Sequence, residues 1–217
     1  FQNIEAAVNL AGATQTRLGG KMGTADVLTN IMRQFEIAPE MSEMLADRLT
    51  MVTTSSNIQL YDLADAFRYV GTTAHTMGLG VETIAAGIGT LGDMGLQGSI
   101  AGTALENALR YTSRALSETR TKRQGDALKN VGLHPEDLMD ARGELLAFPQ
   151  VLQKIFSATA KMTKLKKLQV FQDVFGVRGS RAMAALAQNP ERFTTLYNKI
   201  LNSQGLSGQL MTKMMGT

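Results

Sequence analysis

Residues 95 to 105 read Gly95-Leu96-Gln97-Gly98-Ser99-Ile100-Ala101-Gly102-Thr103-Ala104-Leu105, the densest run of small side chains between two apolar patterns in the sequence. Small side chains let two backbones approach. Gly95, Gly98 and Gly102 recur at the three- and four-residue spacing that places residues on one side of a helix. The run therefore predicts a turn followed by a flat helical strip that serves as a docking surface. Ser99 is read as the helix cap, and Ala101, Thr103, Ala104 and Leu105 as the rest of the contact motif. Any fold for this chain has to bring something up against that strip.

The segments around it are helical in period. Leu60, Leu63, Ala64, Phe67, Val70, Gly71 and Ala74 fall on one face, with Asp62, Asp65 and Arg68 opposite. Ser56 and Gln59 have capping-box spacing ahead of that helix. Gly78 and Gly80 break the pattern, and Val81, Ile84, Ala85, Ile88 and Leu91 begin another helix with Glu82 in its first turn. Upstream, Ile4, Val8 and Ala11 mark a short helix ended by Gly19-Gly20 and Gly23. Thr24 is placed to cap a second, and Pro39 to open a third. Downstream, residues 117–124 are polar and basic and read as an exposed connection. Residues 145–148 allow a weak extended pairing. Met162, Leu165, Leu168, Phe171 and Phe175 form a stripe that Gly176 ends, residues 181–188 make a short alanine-rich helix, and Pro190 opens the last one. The class is all-α, with about ten short to medium helices packed through small-residue faces and no sheet. We divide the chain into an N-terminal helix and flexible joint at 1–23, a helical core at 24–204, and a flexible tail or continuation at 205–217.

Composition narrows the chemistry. With no cysteine and two histidines, His75 and His134, neither a disulfide framework nor a thiolate or histidine-cluster metal site is available. Gly87-Ile88-Gly89-Thr90-Leu91-Gly92 has the letters of a dinucleotide-binding motif. That motif works only as a turn between strand and helix, whereas here a helical period runs straight through it, so these are packing glycines. Ser99 lacks the glycine two residues before it that a nucleophile elbow requires. Asp62 and Asp65 supply too few oxygens for a hard cation, with Arg68 spaced to pair with them. No catalytic residue, metal or cofactor is expected.

The charge of +3 and a pI near 9.2 are a mild basic excess. Lys161, Lys164, Lys166 and Lys167 form its densest cluster, read as the solvated side of an amphipathic helix, with nucleic acid, for which aromatic stacking residues are missing nearby, and an acidic protein partner as equal minority readings. The 13 methionines supply adaptable apolar surface. Glu82, Asp93 and Glu106 interrupt the best apolar stretch, so no membrane span is expected. The first residue is Phe1, and the chain reads as a piece of something longer.

The order of these segments carries a resemblance. Asp62-Leu63-Ala64-Asp65-Ala66-Phe67-Arg68-Tyr69-Val70-Gly71, then Ala74 and Gly78, then the run from Met94 to Leu105, then Asn130-Val131-Gly132-Leu133 and Asp173-Val174-Phe175-Gly176-Val177-Arg178-Gly179 resemble the core region of bacteriophage tail tape measure proteins, over residues 25–186. Tyr69, Gly71, Ala74, Gly78, Phe175 and Gly176 are its secondary motif. The resemblance implies a structural virion protein of the tail lumen and tip, assembled in the host cytoplasm. It implies self-association, with a trimer favoured, and contacts with tail hub, tip or baseplate proteins and the tail tube protein. A tape measure sets tail length, yet 217 residues in one continuous helix would reach only about 330 Å at about 1.5 Å per residue. The expected role is therefore anchoring, with the length carried elsewhere. Two readings compete: a membrane-active protein inserting residues 84–109 as a helical hairpin through Gly98 and Gly102, and a tail-associated cell-wall hydrolase.

Overall fold

The computed structural model describes residues 2–16 and 23–215. Every regular element among them is helical: α1 (Gln2–Thr14), α2 (Thr24–Gln34), α3 (Ser42–Ser55), α4 (Leu60–Thr76), α5 (Val81–Asp93), α6 (Gly98–Leu116), α7 (Lys122–Asn130), α8 (Phe148–Thr159), α9 (Lys164–Gln188), α10 (Pro190–Leu201) and α11 (Leu206–Met215), with 3-10 turns at Pro39–Met41 and Pro135–Leu138. The all-α expectation is met. The extended pairing expected at 145–148 shrinks to an isolated antiparallel bridge between Met139 and Leu145.

The composition of α5 explains its place. Its residues from Thr83 to Gly92 are all buried, and a helix that is apolar or tiny all round has no solvent face to keep. It sits among α3, α4, α6, α9 and α10. Against it lies a layer of three helices, α4, α6 and α9, with α6 in the middle making the most extensive contacts in the molecule. On the other side α1, α2, α3 and α11 pack together, and α10 links the two halves by touching both α3 and α5. Phe67, Phe171, Phe175 and Phe193 are the largest fully buried side chains of the core.

Several local expectations are corrected. Gln59, in extended conformation, precedes α4, and the hydroxyl of Ser56 donates back to the Val52 carbonyl at 2.7 Å, so Ser56 closes α3 instead of capping α4. Gly23 caps α2, while Thr24 is buried inside it and its hydroxyl donates to the Ala7 carbonyl at 3.2 Å. The polar stretch 117–124 is a connection only as far as Thr121. Thr121 and Gln124 form a reciprocal capping box, and α7 starts there. Gly176 breaks α9 at φ 69°, ψ 171°, but the helix resumes at once instead of at residue 181. Leu165 and Leu168, counted as core by their period, are 76% and 43% exposed, left uncovered by other elements among the described residues. The Gly19-Gly20 joint lies outside the described residues.

The chain after Gly205 departs most from expectation. Gly205 and Gly208 suggest a tail, but residues Leu206–Met215 form a helix packed on α1 and α3. The cause is a tertiary cap. The buried Asp47 carboxylate accepts from the Gly205 N–H at 2.6 Å, the Ser207 N–H at 2.8 Å and the Ser207 hydroxyl at 2.6 Å. These are charge-assisted bonds to helix-terminal donors that the segment's own sequence leaves unsatisfied. Because α1 also touches α3 and α11, both terminal segments pack on the helical core. Asp47→Ala should lower stability by about 2–3 kcal/mol, the cost of stranding buried donors of a charged acceptor. Limited proteolysis should then cut first within 205–215, and an unchanged melting curve with a protected C-terminus would show that α11 docks by apolar contact alone.

Candidate functional site

The small-residue strip begins in a turn. α5 ends at Asp93, Gly95 is exposed at φ 80°, and the Leu96 N–H donates to the Leu91 carbonyl at 2.9 Å, closing the turn. Gln97 precedes α6 without a side-chain cap, so Ser99 is a first-turn residue and not the cap expected of it. Gly95 therefore stands outside the helical strip, which consists of Gly98, Ala101, Gly102, Ala104 and Leu105, all buried. Ser99 and Thr103 are half-buried and Ile100 is exposed.

What the strip meets is α4. A Cβ on Gly102 would stand 2.8 Å from the Ala66 Cα and closer still to its carbonyl oxygen, so the two backbones are in direct contact. Gly98, at φ 54°, faces the carboxylates of Asp65 and Asp62, at 3.3 and 3.5 Å from an added Cβ. Carboxylates at the N-terminal end of α6 complement its dipole. Asp65 also pairs with Arg68 at 3.5 Å. A second close approach, which sequence reasoning missed, lies on a different face of α6. A Cβ on Gly179 would be 2.8 Å from the Ala108 amide nitrogen and 2.9 Å from its Cα. α6 is thus held backbone to backbone on two faces, by α4 through Gly102 and by α9 through Gly179.

The secondary motif is distributed around this layer. Gly71 is buried against the Gln34 side chain, Ala74 is fully buried, Tyr69 is half exposed, and Gly78 sits in the exposed turn after α4 at φ 71°. Phe175 is buried in edge contact with Phe171 at 5.9 Å. Gly176 lies against the Tyr111 ring, 2.9 Å from its Cζ for an added Cβ. The kink is clamped from α7: the buried Gln124 amide donates to the Val174 carbonyl at 3.0 Å, and Arg123 pairs with Asp173, its Nε donating at 2.6 Å. Gln124 too was missed, although the Thr121-x-x-Gln124 spacing of its capping box is readable.

The polar groups singled out by the sequence enter structural contacts. The residues 87–92 lie within α5, where Gly89 faces Leu196, Ser56 and Val52 and Gly92 faces Ile58. His75 Nε2 is 3.7 Å from Glu36, and the His134 N–H donates to Asp137 at 2.7 Å as the cap of a 3-10 turn. Among the described residues no group of three His, Cys, Asp or Glu side chains is arranged to hold a metal, and no helix is long and apolar enough to cross a membrane. Gly102, offered in the membrane reading as a hairpin contact between α5 and α6, faces α4 instead.

The chain has relatives by sequence. A family described as phage-related minor tail protein matches residues 2–176. The chain is 26% identical over 197 residues to the tape measure protein of Pneumococcus phage Dp-1, covering 90% of this chain and 16% of that protein. It is 24% identical over 192 residues to the probable tape measure protein of Escherichia phage P2 (88% and 23%), and 25% identical over 173 residues to that of Halomonas phage phiHAP-1 (79% and 20%). The chain thus spans under a quarter of the length of each of these relatives. No solved structure matches it significantly.

The glycines yield a prediction with opposite signs. Gly102→Ala and Gly179→Ala should each cost about 1–3 kcal/mol, because a rigid backbone must move to admit the methyl group. Gly125→Ala in α7 meets nothing closer than the Arg120 side chain at 3.7 Å and should stabilise by about 0.5–1 kcal/mol. Denaturant melts of the three variants check this, and equal effects at all three would remove the backbone contacts from the account.

Proposed function

The chain belongs to the phage-related minor tail protein family, and we propose that it is the compact helical core of a tape measure protein, a structural component of the phage tail without enzymatic activity. The observation that carries this is the alignment of some nine tenths of the chain with the Dp-1 tape measure protein. In this reading the core anchors the molecule at the tail tip or hub, associates with copies of itself in a threefold arrangement, and takes part in tail assembly from the lumen while other segments set the length.

Dimensions support that division of labour. The longest helix, α9, has 25 residues, about 38 Å at about 1.5 Å per residue, and it is kinked. A folded unit of such helices makes a poor ruler and a good anchor.

Phage genetics separates anchor from ruler. Deleting residues 24–204 in frame should abolish tails, as electron microscopy of lysates would record. Tails shortened in proportion to the deletion would make this segment part of the ruler and overturn the anchoring role. His75→Ala, His134→Ala and Ser99→Ala should each leave infectivity and any cell-wall degradation unchanged, and a hydrolytic activity that disappears with one of them would end the structural reading.

A further inference from the structure

The start of α9 carries charge at the wrong end. Lys164, Lys166 and Lys167 occupy its first turn, with Lys161 just before and no acidic residue there, although a helix N-terminus favours negative charge. Beside them Leu165 and Leu168, three residues apart on one flank, are 76% and 43% exposed. No ion pair among the described residues engages these lysines. The result is an apolar ridge framed by cations.

A cleft of complementary character lies between α1, α3, α10 and α11, with a volume of about 640 Å³. Met41, Met44 and Leu201 give it apolar walls, with Met41 and Leu201 each 45% exposed, and Glu5, Glu40 and Glu43 give it an acidic rim free of ion pairs among the described residues. Methionine-walled clefts adapt to the side chains they receive. The helices that α9 packs on most are α6 and α7, so ridge and cleft belong to different parts of the fold.

We infer that the ridge at the start of α9 docks into the α1–α3–α11 cleft of a second copy of this chain, head to tail. This rests on the self-association proposed above and names its contact. The leucines enter the methionine walls as two anchors of a helix laid in a groove, and the carboxylate rim meets both the lysines and the positive end of the α9 dipole. Because the two surfaces differ, the contact is heterologous. It uses both surfaces of every copy and closes into a ring when the rotation permits.

Charge exchange tests it on the 217-residue chain. Sedimentation should show concentration-dependent association that weakens as salt rises. Lys161→Glu with Lys164→Glu, and separately Glu40→Lys with Glu43→Lys, should each weaken association at least tenfold. An equimolar mixture of the two variants should restore pairwise association, since each reversed surface then meets a surface of opposite sign on the other variant, while a closed ring of three, which cannot alternate two variants, should not re-form. Wild-type association indifferent to both reversals overturns this contact and leaves self-association standing, whereas a chain monomeric at every concentration removes both. Ridge-dependent binding of a monomeric chain to anionic vesicles or to DNA also overturns it. Should a reversed variant lose its fold, Leu165→Asn, at an exposed side chain, must still weaken association, and unaltered association would count against the docking.

Discussion

The backbone contact between Gly102 and Ala66 is the constraint on which the rest of the layer depends. Once α6 touches α4 without an intervening side chain, the surrounding positions have little room, and Ala101, Ala104 and Ala108 take it up with methyl groups. The same logic repeats on α6 at Gly179 and Ala108, so the helix is gripped on two faces at main-chain distance. Close packing of this kind gains dispersion contacts with little side-chain entropy to lose, since glycine and alanine have no rotamers to fix. Its cost is intolerance, because an added methyl group meets main chain that cannot rotate away.

Where helices end, polar groups hold the arrangement in register. Arg192 of α10 pairs with Asp93 at the end of α5 at 2.7 Å and also donates to the Ser55 carbonyl at the end of α3. Asp93 in turn accepts from the Asn57 N–H at 2.7 Å, and the Gln97 amide donates to the Asn57 carbonyl at 2.7 Å. The turn that leads into the glycine strip is thereby tied to three other helix ends. Partly exposed ion pairs add little stability singly. Here they satisfy carbonyls and an amide at terminal turns, so their contribution is to geometry.

The sequence made legible what repeats at short range. The period of Leu60 to Ala74, the all-round apolar α5 and the small face of α6 are local patterns, and each became the helix they imply. Gly102 was legible because it stands in a visible strip. Gly179 was not: it follows Gly176, where the stripe reads as ended, and only the resumption of α9 after Gly176 turns it towards Ala108. α11 was misread for a similar reason, since its cap is supplied by Asp47, distant in sequence. Leu165 and Leu168 show the converse error, a correct period on turns with no neighbour to cover them. Period reports which face a helix would bury, and burial depends on whether another element arrives.

That distinction bears on how a core of this kind can serve a tail. The groups that make the fold rigid, Gly102, Gly179 and Asp47, are buried and engaged in internal contacts. Among the groups left over are apolar or charged side chains at the margins: Ile100 and Tyr69, Met41 and Leu201 at the cleft, and the α9 ridge. The kink at Gly176 separates two tasks within α9. The segment after it is locked to α6 at Gly179, while the segment before it is clamped by Gln124 and Arg123 of α7 and carries the exposed leucines outward. A clamped kink fixes the direction of the projecting turns without requiring the layer to yield, which is what a rigid scaffold must do if its contacts are to be made at its edges.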